Sequence, residues 1–181
     1  MSLRIGRVIA RGWEWLVVRV FYNEHTIAKY FRKQGARIGS NVRILTKTLG
    51  SEPYLVRIGN NVLVSSQVMF CTHDGGVSVF RREIKDIHVF GTIDIKDSCM
   101  IGTRSVIMPG VTIGPNSIVG VCSLVNRDVP PNTVVAGMPA RVFCPIDDYK
   151  KRSVERFKSL NLHGDRRAWK EQLIKHFWGG T

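Results

Sequence analysis

The chain has no pair of cysteines spaced two residues apart, and its four cysteines, Cys71, Cys99, Cys122 and Cys144, stand in no metal-like spacing with histidine. That excludes a zinc-finger or redox-pair reading and leaves buried free thiols in a reducing compartment as the expectation. No run of about 18 uninterrupted apolar residues exists, so no membrane-spanning helix is expected. The nearest approach, Trp13–Tyr22, is broken by Glu14 and Arg19 and lacks the small-residue cleavage site of a signal peptide. The reading is a cytoplasmic protein. Acidic residues are also scarce, 14 against 27 Lys and Arg, giving a net charge of +13. The excess sits at the ends: +6 over residues 1–37 and +4 over 146–181, against +3 over the 108 residues between. A nucleic-acid binder would carry a basic stripe with interleaved aromatics on one recognition surface, so no nucleic-acid partner is expected. Basic flanks suit solubility or an anionic membrane surface.

What the chain does have is a period. From Val89 every sixth residue is aliphatic: Val89, Ile95, Ile101, Ile107, Ile113, Val119 and Val125. Four residues after each stands Ile93, Cys99, Ser105, Val111, Ser117, Ser123 or Val129, mostly small or short. Upstream, the same grammar recurs at Ile38-Gly39, Ile44, Ile58-Gly59, Val64 and Phe70. Six is even, so strand alternation returns the aliphatic residue to one face at every repeat, which a helix of 3.6 residues per turn would not do. Short strands joined by glycine and short polar turns wind into a solenoid whose layers bury their aliphatics against one another. The phase breaks twice. Ile44 to Ile58 is two residues too long, placing an insertion around Leu49–Leu55, and Phe70 to Val89 is one too long, with the pattern lost from Asp74 to Ile87.

Repeats such as Ile101-Gly102-Thr103-Arg104-Ser105-Val106, and the closing run Val125–Val142 with its Gly137-Met138-Pro139-Ala140-Arg141, resemble the hexapeptide-repeat acyltransferases, in particular the sugar and polysaccharide O-acetyltransferases. The resemblance covers residues 38–145. It implies a mainly β fold, a left-handed parallel β-helix, flanked by helical N- and C-terminal segments: a cap at 1–37, the β-helix with an excursion at 74–88, and a helical segment at 146–181. The hand comes only from the resemblance. It also implies a homotrimer that binds acetyl-CoA as cosubstrate in a groove between subunits. Matched by motif, backbone amides of Gly102, Thr103, Gly120 and Val121 line the pantetheine arm, while Asn126, Arg127 and Arg141 sit near the adenosine phosphates. Many relatives have Thr-Lys where this chain has Asn126-Arg127.

The chemical lead is Phe70-Cys71-Thr72-His73-Asp74-Gly75-Gly76. Acetyl transfer from a thioester to a hydroxyl needs a base, and histidine titrates near neutrality. His73 matches the position where the resembled enzymes place that base, beside a projecting loop. His88 closes the same excursion as a rival base or an acceptor contact. Asp74 is read as orienting His73, binding an acceptor hydroxyl, or simply making a turn. Arg81 and Arg82 suit a phosphate or uronate on the acceptor. Cys71 as an acyl-carrying nucleophile is disfavoured. No metal is expected: a zinc-dependent β-helix would need three histidines, and residues 38–145 hold only His73 and His88. The leading function is O-acetylation of a sugar or glycan hydroxyl. An amine acceptor and a non-catalytic β-helix are the alternatives. At the ends, Trp13, Leu16, Val17, Val20 and Phe21 share a helical face, either as a cap on the solenoid or, with Trp13 and Trp15, as a peripheral membrane contact. Phe157, Leu160, Trp169, Leu173, Ile174 and Phe177 are spaced for burial against the other end or a neighbouring subunit.

Overall fold

The computed structural model describes residue 18 and residues 20–179. Three parallel sheets share the chain, each taking one short strand per turn of the solenoid. The first sheet stacks β1 (Arg37–Ile38), β3 (Val56–Ile58), β6 (Ile93–Ile95) and β9 (Thr112–Ile113). The second stacks β2 (Arg43–Ile44), β4 (Leu63–Val64), β7 (Met100–Ile101), β10 (Ile118–Val119) and β12 (Thr133–Gly137), and closes with the antiparallel β13 (Ala140–Pro145). The third stacks β5 (Met69–Phe70), β8 (Val106–Ile107) and β11 (Leu124–Val125).

The second residue of nearly every two-residue strand points inward and is buried, and Ile44, Val64, Ile101, Ile107, Ile113 and Val119 are all 0% exposed. Each fully buried aliphatic stabilises by roughly 1.5–3 kcal/mol, and stacking them coil on coil joins them into one core. Except after Ile44 and Phe70, the position four residues on is buried too, and its serines are not left unpaired there. Ser105 and Ser123 donate to the Gly120 carbonyl and Ser117 to the Pro130 carbonyl. A short hydroxyl fits the corner and satisfies backbone acceptors that no water reaches.

The register is regular where the sequence period is cleanest. Ile95 lies beside Ile113, Ile101 beside Val119 and Ile107 beside Val125, each a step of 18 residues. Val89 does not belong to this series. It is 46% exposed and lies in the excursion, and the chain rejoins the solenoid only after His73 and Phe90 form an antiparallel bridge. Val129 is also out of its expected place. A step of 16 residues sets it beside Ile113, in the aliphatic rather than the small position. Shortening the last coil this way brings β12 alongside β10.

Turning the corners takes left-handed backbone at residues other than glycine, with φ near +55° at Asn41, Asn61, Ser98, Asn116 and Asn132 between the first and second sheets. Asparagine tolerates that region best, and side-chain amides stack along the edge, Asn41 on Asn61 at 2.8 Å and Asn116 on Asn132 at 2.7 Å. On the outside of the first sheet Asp94 is almost wholly buried, accepting from Arg57 Nε at 2.8 Å and Lys96 Nζ at 2.6 Å. Burial alone would raise its pKa, and the two cations hold it below the usual carboxylate range instead.

Helix α1 (Ile27–Lys33) covers the first coil, contributing Ile27, Ala28 and Phe31 to the core. Of the face expected further upstream, Val20 and Phe21 are exposed and Val18 is the buried residue. Trp13, Trp15, Leu16 and Val17, and with them the proposed membrane contact, lie outside the described residues. At the other end, α2 (Ile146–Ser159) and α3 (Arg166–Trp178) bury no side chain fully against this chain. Phe157, Ile174 and Phe177 are more than half exposed, so of the two expectations burial against the end of the solenoid is not met at these three, although the helix at Ile146–Ser159 packs beside β12 and β13. Nor are all four thiols buried: Cys99 and Cys144 are, Cys71 is partly covered and Cys122 is exposed. Among the described residues no helix is long and apolar enough to cross a membrane.

A coil stack this tight makes a sharp demand at Gly114, where an added Cβ would lie 2.6 Å from Pro131 N and 2.8 Å from Pro130 C. Gly114→Ala is expected to cost about 1–3 kcal/mol through overpacking, read as a lower urea midpoint. Gly75→Ala, where a Cβ meets nothing within 4 Å, should leave the midpoint within error of wild type.

Candidate active site

The edge where the third sheet turns into the first carries the chemistry. His73 follows β5 on that edge, and the insertion around Leu49–Leu55 folds directly beneath it. Gly50 is what allows the approach. Its φ is +84°, and a Cβ there would meet the Phe70 carbonyl oxygen at 2.5 Å. Beyond it the chain places Glu52, at the start of a short turn over Pro53–Leu55, against the next coil.

Glu52 Oε2 is 3.0 Å from His73 Nδ1 and also accepts the Thr72 hydroxyl. Thr72 is 1% exposed, so the carboxylate is pinned from the core side. The Glu52 side chain is 14% exposed and that of His73 45%, which shields the carboxylate and leaves the imidazole open. Burial pushes the Glu52 pKa up, but the bonds from Thr72 and His73 outweigh it and hold it below its ordinary value. Glu52 is therefore ionised at neutral pH and can only accept. The proton shared with it belongs to His73 Nδ1, so in the neutral imidazole it is Nε2 that carries the lone pair.

Of the readings open for Asp74, the turn is the one its bonds serve, and the carboxylate that meets His73 is Glu52. Asp74 does not hold His73; its Oδ1 accepts the Gly76 amide at 2.8 Å and caps the short helix Gly75–Phe80. Glu52 escaped notice because it lies 21 residues upstream and inside an insertion. The insertion itself was the only available signal: two extra residues one coil before a candidate base.

His73 opens into a cleft of about 300 Å³ lined by Glu52, Asp74, Arg81, His88 and Phe90 among others. Arg82 lies on the same loop, exposed, but does not line the cleft. His88 Nδ1 donates to the Asp86 carbonyl at 2.7 Å, and among the described residues no carboxylate pairs with it, in contrast to His73. Cys71 is a poor nucleophile here, because burial raises its thiol pKa. Among the described residues no group of three His, Cys, Asp or Glu stands close enough to hold a metal ion.

The residues expected to contact acetyl-CoA fall into two places. Asn126, Arg127 and Arg141 line one groove with Ala140. Asn126 and Arg127 follow β11, on the same edge as His73 and two coils along, since Phe70, Ile107 and Val125 are in register. At about 4.8 Å per strand that is roughly 10 Å of axial separation. Gly102, Thr103, Gly120 and Val121 follow β7 and β10 and stand on the other edge of the third sheet. Two of their four amides are not free for a ligand: Gly102 N donates to Val119 O and Gly120 N to Val135 O, both at 2.8 Å. These glycines are required for stacking, as a Cβ on Gly102 would lie 2.6 Å from the Gly120 backbone.

Comparison with known proteins places this geometry. The family model described as "Bacterial transferase hexapeptide (six repeats)" matches residues 92–127, which are the two regular coils. Protein CapG of Staphylococcus aureus is 45% identical over 127 residues, covering 68% of this chain and 74% of that protein. Galactoside O-acetyltransferase of Escherichia coli strain K12 is 41% identical over 100 residues, covering 55% of this chain and 49% of that protein. Among solved structures, a galactoside acetyltransferase in complex with coenzyme A superposes with a TM-score of 0.60 at 25% identity, over 79% of this chain and 82% of that one. The acetyltransferase VCA0836 of Vibrio cholerae with acetyl coenzyme A gives 0.54 at 25% identity, over 75% and 84%. The fold is thus the left-handed parallel β-helix. The chain belongs to the hexapeptide-repeat transferases and is an acetyltransferase.

Proposed function

We propose that this protein O-acetylates a hydroxyl of a sugar or surface glycan by direct transfer, with His73 as the general base. The observation that carries the proposal is the Glu52–His73 pair at the mouth of the cleft, with Nδ1 committed to the carboxylate and Nε2 open. Nε2 takes the acceptor hydroxyl proton as the oxygen attacks the thioester carbonyl. The tetrahedral intermediate collapses by breaking its C–S bond, and the same proton passes from Nε2 to the departing thiolate. The products are an O-acetyl ester and the CoA thiol. Glu52 stabilises the imidazolium formed in between, without itself taking a proton. The sugar class of acceptor is supported by the relative acting on galactosides.

The donor fits the edge that carries His73. Arg127 and Arg141 offer guanidinium groups for phosphates, and the roughly 10 Å of axial separation between Arg127 and His73 leaves room for an extended pantetheine arm. Gly102 and Gly120 lie on a different edge, so one donor touches both sets only where two chains meet. That supports a homotrimer with its donor grooves between subunits. Membership of a polysaccharide-modifying pathway in the cytoplasm completes the reading.

His73→Ala is expected to lower kcat by about 10²–10⁴ while acetyl-CoA binding by calorimetry stays near wild type; near-normal turnover would remove His73 from the mechanism. Glu52→Gln keeps the shape and removes the charge, so kcat should fall with little change in either KM. Sedimentation should give three times the 20.4 kDa chain mass, and a monomer would refute the shared groove. The Glu52 pKa is lower in the folded chain, so its contribution to stability is present above the ordinary value of 4.5 and is lost as pH falls through the folded value. The difference in urea midpoint between wild type and Glu52→Gln should accordingly be constant at neutral pH and shrink toward zero on acidification below 4.5.

A further inference from the structure

The cleft holds a base, and it also holds an aromatic wall and an uncommitted cation. Phe90 is 53% exposed, yet it is fastened to His73 by the antiparallel bridge that closes the excursion. Its ring centroid lies 6.3 Å from the His73 ring, edge-on, and 5.8 Å from the His88 ring, stacked within 5° of parallel. His88 is held in that plane by its bond to the Asp86 carbonyl. Phe90, backed by the stacked His88, therefore presents an exposed ring beside the His73 imidazole, of the kind against which the C–H face of a sugar ring packs. An exposed aromatic held this firmly has little conformational entropy left to lose on binding.

The ionisable side chains around that face differ in what they are already doing. Glu52 is occupied by Thr72 and His73, and Asp74 by the Gly76 amide. Arg81 lines the same cleft, its backbone amide is tied to the Ser78 carbonyl, and among the described residues its guanidinium makes no ion pair. A guanidinium at a cleft wall, with the two carboxylates that line the cleft already bonded, is a receptor for a planar or tetrahedral oxyanion.

We propose that the acceptor is an anionic sugar: its ring stacks on the Phe90–His88 face, its carboxylate or phosphate pairs with Arg81, and the hydroxyl to be acetylated is thereby set against His73 Nε2. The proposal rests on the acetyl-transfer reading above and adds the charge of the acceptor and the residue that reads it. Arg81 is a specificity-determining residue on this account, and Phe90 is the ring platform.

The test is binding of three probes to the full chain in the presence of CoA: methyl glucuronide, methyl glucoside and glucose 6-phosphate, by calorimetry or NMR titration. At least one anionic probe is expected to bind about ten- to a hundredfold more tightly than the glucoside, and the order of the two names the anion. Arg81→Ala should abolish the preference without changing glucoside affinity, and an unchanged melting curve will show that the exposed substitution leaves the fold intact. Phe90→Ala should weaken every probe that binds by a similar factor. Equal affinity for the three, no binding of any, or a preference that persists in Arg81→Ala overturns the proposal. His73→Ala separates this from the base assignment, because it should lose transfer yet keep the anionic preference. Transfer that survives in His73→Ala condemns the base alone, and a missing preference condemns the anion alone.

Discussion

Everything in this molecule hangs on the parallel register between successive coils. A strand of two residues has almost no stability alone, and each coil is held by backbone bonds to the coils above and below and by an aliphatic stack running through them. The spacing is set by main chain against main chain, so it has no slack. Gly102 and Gly114 touch backbone of the next coil where any side chain would stand. The same spacing defines the site, because it is what carries Glu52 to within 3.0 Å of a histidine 21 residues away.

Register alone would not make that pair. In an uninterrupted solenoid, the place beneath His73 would be a plain turn. Two residues added between Ile44 and Ile58 swell that turn outward, and Gly50 lets the swollen segment double back under the Phe70 carbonyl. Thr72 then bonds the carboxylate from the core side. The arrangement divides the labour in a physically sensible way. His73, the proposed base, follows a strand of the stack, and Glu52 is tied to that stack from its insertion by the buried Thr72 hydroxyl. The aromatic face and Arg81 sit on the excursion, where sequence varies without disturbing the core.

How far the sequence exposed this follows from the range of each interaction. The period from Ile95 to Val125 is a local pattern, and it located the two regular coils because every repeat is anchored by the same inward position. It overreached at both ends for one reason. Val89 has the right residue type and phase but lies in the excursion, and Val129 changes role because the final coil is shorter by two residues. Residue type fixes a preference for burial, and only the register decides which slot is taken. His73 was visible from its loop, whereas Glu52 was not, since a carboxylate in an insertion looks like any solvated turn residue until the coil above it is placed. The apolar spacing of α2 and α3 speaks for burial without naming the partner, and Phe157, Ile174 and Phe177 stay more than half exposed among the described residues.

That last mismatch bears on the donor site. Gly102 and Gly120 on one edge, Asn126 and Arg127 on the other, and exposed apolar side chains along the C-terminal helices are three separate signs of an incomplete surface. A single prism cannot fold one edge onto another, because its section is fixed by three sheets of strands in register. The two sets of residues can be brought to one ligand only by apposing an edge of one prism to the next edge of another. The stiffness that holds the Glu52–His73 pair therefore also means that, on the proposed donor contacts, one ligand meets both sets only with a neighbouring chain.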